Sequence, residues 1–157
     1  GRLGKMMANF GHSFGMNIYI YDPYIQNVDN NYNLVNLDQL CSICDVISLH
    51  VHVTDETKNM VNKDFLNKMK KNSYLINTSR GEIVNEDDII ESIKNFHLFG
   101  YGTDVIINEF DIINESKLIK LSQTNQYNIL ITPHIGGMTI EGQNKAFMWA
   151  AQKFKDI

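Results

Sequence analysis

A mainly parallel, doubly wound α/β sheet is what this sequence predicts, on three observations. Helical and strand-like patterns alternate from one end to the other, the strand-like runs are short and apolar, and polar or glycine-bearing segments separate them. No internal repeat or low-complexity linker breaks the alternation, and 157 residues suit one domain with an ordinary core.

From Arg2 to Phe14 the apolar residues Leu3, Met6, Met7, Phe10 and Phe14 recur at three- and four-residue spacing, which predicts one helix ended by Gly15. Met16 to Asp22 follows as a strand stopped by Pro23. A polar, Asn- and Asp-rich link leads to a short helix around Leu37 to Cys44, and Asp45 to Val51 reads as the second strand. A polar loop with Thr54 and Thr57 precedes a helical stretch over Lys63 to Met69. Tyr74, Leu75 and Ile76 form a buried strand that runs into small polar residues, Arg80 and Gly81. Asn85 to Phe96 carries acidic residues in its first turn, as a helix start prefers. Leu98 to Ile106 is a strand whose glycines suggest close backbone approach. Ser116 to Leu121 forms a short helix, Asn128 to His134 the last strand, and Thr139 opens a terminal helix through Met148, Trp149 and Phe154.

In open α/β sheets ligands bind outside the carboxyl ends of the strands, which puts Arg80 where a ligand would lie. A guanidinium there suggests an anion. The alternative is an Arg paired with surface carboxylates, and its neighbours must decide.

Composition removes several classes. A net charge of −4 argues against a nucleic-acid partner, which would demand a basic face. No apolar run approaches the roughly 20 residues of a membrane span, and no secretory leader precedes the first polar residues. A soluble, cytoplasmic chain without a membrane partner is expected. Cys41 and Cys44 form a C-x-x-C, but Leu37 and Leu40 lie at helical spacing beside them and no second pair completes a zinc site, so two buried apolar cysteines are expected. The 19 asparagines look like compositional bias, and none is weighted for its type.

Gly1, Arg2, Leu3 and Gly4 match the second half of the G-x-G-x-x-G dinucleotide fingerprint, whose glycines let a pyrophosphate approach a helix amino end. Asp22 ends the next strand 18 positions after Gly4, near the ~20 expected for the carboxylate that holds the adenosine ribose. A carboxylate there repels a 2′-phosphate, so NAD is preferred over NADP; the alternative is a turn aspartate before Pro23. On this reading the first strand of a Rossmann-type sheet and the first glycine lie upstream of Gly1, and the chain is a fragment.

Six ordered motifs, GRLG, YDPY, SLHV with TDETKNMVN, INTSRGEIVNED, GYGTDV with Glu109 five positions after its Asp104, and TPHIGG, resemble the D-isomer-specific 2-hydroxyacid dehydrogenases over nearly the whole chain. The resemblance is strongest, on TKNM, NTSRG and TPHIGG, to members acting on 3-phosphoglycerate-like acids. It implies a catalytic set: Arg80 anchoring the substrate carboxylate through two parallel hydrogen bonds, His134 as acid/base, and Glu109 holding the other imidazole nitrogen. It also implies NAD contacts from Arg2 and Leu3, Val51, Thr78 and Ser79, Asp104 near the nicotinamide amide, and Gly136 and Gly137. Residues 1–138 would form the NAD-binding domain. Residues 139–157 would return toward a substrate domain built mostly from upstream sequence, so this fragment alone should be nearly inactive. The implied partner is a small 2-hydroxy or 2-oxo acid, with a homodimer through this domain. Two other readings stay open, a glyoxylate or hydroxypyruvate reductase and a corepressor-like module that senses NAD without turnover.

His52 stands where the family usually has Pro, and Phe110 where Pro commonly follows the Glu. His50 and His52 share a strand face, yet no third ligand accompanies them and no metal is expected. His12 and His97 read as surface residues.

Overall fold

The computed structural model describes residues 1–109 and 116–155. In chain order the elements are α1 (Arg2–Ser13), β1 (Ile18–Ile20), β2 (Tyr32–Leu34), α2 (Leu37–Ile43), β3 (Val46–Leu49), α3 (Lys63–Lys68), β4 (Ser73–Asn77), α4 (Glu86–Lys94), β5 (Leu98–Thr103), α5 (Lys117–Ser122), β6 (Asn128–Ile131) and α6 (Ile140–Lys155). A single 3-10 turn, Gly81–Ile83, links β4 to α4.

All strand pairs are parallel, and they fall into two sheets, β1 with β2 and β3-β4-β5-β6 in chain order. No ladder joins the two sheets among the described residues. Strand β2 lies inside the stretch expected to be a polar link. Three residues are too few for a hydrophobic period, and the strand exists because Tyr32, Asn33 and Leu34 pair with Ile18, Tyr19 and Ile20. The expected strands over 98–106 and 128–134 end early, at Thr103 and Ile131. The Thr103 hydroxyl draws the Val105 carbonyl back onto it at 2.5 Å, and Pro133 has no N–H to extend a ladder.

Alternation places one face of the four-stranded sheet in the core. Ile47, Leu49, Leu75 and Leu98 point toward helices α2 to α5 and meet Cys41, Phe65, Leu66, Ile89, Ile93 and Leu118. On the opposite face Val46, Tyr74, Phe99 and Leu130 are exposed, with Tyr74 and Phe99 in edge-on contact at 5.2 Å. Helix α1 docks on β1 through its small residues. Ala8 and Gly11 are its buried positions, and a Cβ on Gly11 would stand 2.8 Å from Ile18 Cδ1.

Asparagines start three helices. The side chains of Asn36, Asn62 and Asn85 accept hydrogen bonds from the third helical N–H of α2, α3 and α4, satisfying donors that a helix start leaves open. His97 is not the free surface residue expected. Its Nε2 sits 2.9 Å from the Leu66 carbonyl and 3.0 Å from that of Met69, closing the end of α3. No helix among the described residues is long and apolar enough to cross a membrane.

Cys41 and Cys44 are both free, Cys41 fully buried and Cys44 half-buried. Burial, aided by Asp38, pushes the Cys41 thiol up to about 11, and burial with Asp45 raises Cys44. Because the thiolate is the reactive form, Cys41 should resist iodoacetamide at pH 9 in the native protein and react at once in urea, as peptide mass mapping would show. Rapid native alkylation, or a disulfide between the two, would refute this reading.

Candidate active site

Parallel pairing brings the carboxyl ends of β3, β4, β5 and β6 to one edge, and the loops leaving them carry most of the expected site residues. Arg80 follows β4, Glu109 follows β5 and His134 follows β6. Glu109 and His134 meet directly. Glu109 Oε1 lies 2.6 Å from His134 Nδ1, with the carboxylate 20% and the imidazole 30% exposed, leaving Nε2 turned away from this bond. Phe110, which stands where Pro commonly follows the Glu, lies outside the described residues.

Arg80 stands at the same edge but hydrogen-bonds to neither. Its guanidinium donates to the Ser79 carbonyl at 2.6 Å, and no carboxylate of the described residues pairs with it, so the surface ion-pair alternative finds no support among them. Its loop is held from below. The fully buried Asn77 side chain accepts from the Ser79 N–H at 3.0 Å and donates to the Arg80 carbonyl at 2.9 Å, while the Ser79 hydroxyl donates to the Leu49 carbonyl at 2.7 Å. Thr78 is exposed and Ser79 half-buried. Gly81 then lies against the Glu109 loop, where a Cβ would fall 2.2 Å from the Ile106 carbonyl carbon and 2.5 Å from the Ile107 nitrogen. Glu86 adds a second tie, accepting from the Ile107 N–H at 2.8 Å. Burial raises its carboxyl above the usual range, opposed by that bond.

Asp104, 7% exposed, turns its carboxylate onto the turn that carries His134. Oδ1 accepts from the Thr132 hydroxyl at 2.5 Å and the Ile135 N–H at 3.0 Å, and Oδ2 from the Gly136 N–H at 2.8 Å. Burial alone would raise this carboxyl, but the three donors and the nearby His134 outweigh it and hold it below the ordinary carboxylate range. Gly137 is open, a Cβ there meeting nothing within 4 Å.

The expected cofactor residues of α1 sit between the two sheets. The Gly1 nitrogen lies 3.9 Å from Asp22 Oδ2 at the end of β1, and Gly4 packs against His50 just beyond β3. Burial holds the His50 imidazole below its usual value, and Ser48 Oγ lies 3.0 Å from its Nε2. One Asp22 oxygen, Oδ1, is taken by the Tyr24 N–H at 3.0 Å. A Cβ on Gly1 would meet nothing, and Val51 is part-exposed beyond β3, so helix start, open backbone and carboxylate together fit an adenine dinucleotide. The Arg2 guanidinium stacks 4.3 Å over the Trp149 ring of α6, and Leu3 is exposed.

Asn77, Glu86 and Thr132 escaped the sequence reading. Each acts by bonding another loop, which no local spacing reports.

The family model described as D-isomer specific 2-hydroxyacid dehydrogenase, NAD binding domain, matches residues 1–136. D-3-phosphoglycerate dehydrogenase of Haemophilus influenzae is 36% identical over 157 residues, covering 98% of this chain and 37% of its own length. Hydroxypyruvate reductase of Thermotoga maritima is 32% identical over 159 residues, covering 100% of this chain and 50% of its own. The crystal structure of D-lactate dehydrogenase from Aquifex aeolicus, complexed with NAD and lactic acid, superposes with a TM-score of 0.85 at 32% identity, covering 99% of this chain and 50% of that one. The chain thus spans half or less of the length of these relatives.

The contact at Gly81 makes a sharp prediction. Gly81→Ala should cost about 3 kcal/mol by overpacking, whereas Gly137→Ala should stay within about 0.5 kcal/mol. Urea midpoints measure both, and equal midpoints for the two variants would contradict the packing described.

Proposed function

The chain belongs to the D-isomer-specific 2-hydroxyacid dehydrogenase family as its NAD-binding domain, and on that footing we propose that the whole protein transfers a hydride between C2 of a D-2-hydroxy acid and NAD. The bond between Glu109 and His134 carries this reading. With Nδ1 held by a carboxylate, the ring presents Nε2 to a substrate, taking the hydroxyl proton in oxidation and returning it in reduction. Glu109 orients the ring and stabilises its charged form. Arg80, with no partner acid among the described residues, holds the substrate carboxylate by a planar pair of hydrogen bonds and so fixes C2. When bound, the nicotinamide supplies the hydride acceptor or donor. Asp22 accepts from the adenosine ribose and excludes a 2′-phosphate by like charge, and the amino end of α1 faces the pyrophosphate.

The substrate is a 3-phosphoglycerate-like acid, supported by the D-3-phosphoglycerate dehydrogenase match. Hydroxypyruvate or glyoxylate reduction is the second reading, supported by the reductase match. Both relatives bear the names of enzymes, which favours turnover over a non-catalytic NAD sensor. Residues 1–138 form the cofactor half, and α6 leads back toward a substrate domain. A cytoplasmic location and a homodimer belong to the same proposal.

Two outcomes test it in the complete protein. Charge-assisted bonds contribute about 1.5–3 kcal/mol each, so Arg80→Ala, which loses two, should lower kcat/KM by at least about 100-fold. NADH affinity should hold; its loss would remove Arg80 from the substrate side. Asp22→Ala should narrow the preference for NAD over NADP, and an unchanged ratio of kcat/KM values would acquit Asp22.

A further inference from the structure

We infer that Trp149 is a positioning residue for the cofactor: the indole ring on α6 holds the Arg2 guanidinium at the amino end of α1, ready to meet the NAD pyrophosphate. The inference rests on the reading that places the pyrophosphate at that helix start.

Helix α1 makes the first argument. Its cap residue, Gly1, supplies no side-chain bond and no acidic residue lies in its first turn, so the positive end of the helix meets no anion of its own there. Arg2, the first helical residue, adds a full charge. None of the ion pairs among the described residues uses it. Its guanidinium lies instead over the Trp149 ring, with Cζ 4.3 Å from the ring centroid. A stacked guanidinium spends its face on the ring, while its N–H donors lie in its own plane and stay open to two phosphate oxygens. Stacking therefore orders a long side chain without using up the bonds an anion needs.

The second argument comes from α6. Its other large apolar side chains, Ile140, Phe147, Met148 and Phe154, are each at least 70% exposed, whereas Trp149 is 45% exposed with Arg2 lying over it. Lys145, one turn earlier on the same helix, sets its Nζ 5.3 Å from the centroid of the same ring. A ring met by two cations is itself restrained. An open cleft of about 300 Å³, lined by Arg2, Trp149, Gln152 and Lys153, lies beside the stack. Its charged lining is wholly cationic, so a phosphate approaching Arg2 from that side meets no carboxylate.

Trp149→Leu, Trp149→Phe and Arg2→Ala would be made in the full-length dehydrogenase, each Trp149 variant also in combination with Arg2→Ala. NADH affinity is read by fluorescence titration, and ADP-ribose and adenosine compete against it to separate the pyrophosphate from the nucleoside. Loss of a partly exposed cation–π contact corresponds to about fivefold in affinity, so Trp149→Leu should raise the dissociation constants of NADH and ADP-ribose by about that factor. Adenosine should bind as before, and the KM for NADH should rise while kcat stays within about twofold. Trp149→Phe, whose ring attracts a cation less strongly, should lie between Trp149→Leu and the wild type. In the Arg2→Ala enzyme neither Trp149 variant should add more than about 1.5-fold. If Trp149→Leu does not fold, Trp149→Phe with and without Arg2 makes the same comparison. An unchanged NADH affinity in the Trp149 variants, an equal loss for adenosine, or an equal loss with and without Arg2 overturns the inference. Failure of the pyrophosphate reading shows differently: Arg2→Ala alone would then bind NADH and ADP-ribose as the wild type does, and the inference would fall with it.

Discussion

Parallel pairing of β4, β5 and β6 in chain order is the constraint on which the site depends. Parallel strands end on the same side, so the loops carrying Arg80, Glu109 and His134 become neighbours although each follows a separate strand. Proximity of loops is not yet geometry. The missing Cβ at Gly81 lets the Arg80 loop rest on the peptide between Ile106 and Ile107, and the buried Asn77 amide ties Ser79 and Arg80 to the strand end. Thr103 continues the chain of bonds, its hydroxyl reaching the Asn77 carbonyl at 3.1 Å while its own carbonyl accepts from Thr132 at 2.9 Å.

Three carboxylates are used in three different ways, and environment decides which. Asp22 lies at the rim of the crevice with one oxygen spent on Tyr24. Glu109, part-buried, spends one oxygen on an imidazole. Asp104 is nearly sealed and holds three donors, which keeps it charged despite its burial. The number of donors follows burial: one backbone N–H meets Asp22, one imidazole meets Glu109 and three donors meet the nearly sealed Asp104.

Much of this was legible in the sequence. Alternating patterns placed every described helix and all described strands but β2. What stayed hidden was asparagine chemistry. Asn36, Asn62 and Asn85 cap helices, Asn59, Asn72, Asn108 and Asn125 take left-handed turns, and Asn77 organises the Arg80 loop. In a chain rich in this residue, type alone cannot separate a cap from a surface position. The difference lies in backbone angle and in which N–H is nearby. The stacking of Arg2 on Trp149 was equally out of reach, since it joins the first and last helices.

The close packing at Gly81 has a consequence for motion. A loop that rests against the peptide between Ile106 and Ile107, with Glu86 accepting from the Ile107 N–H at 2.8 Å, cannot shift without carrying the segment before Glu109 with it. The segments leaving β4 and β5 are therefore coupled and move as one body.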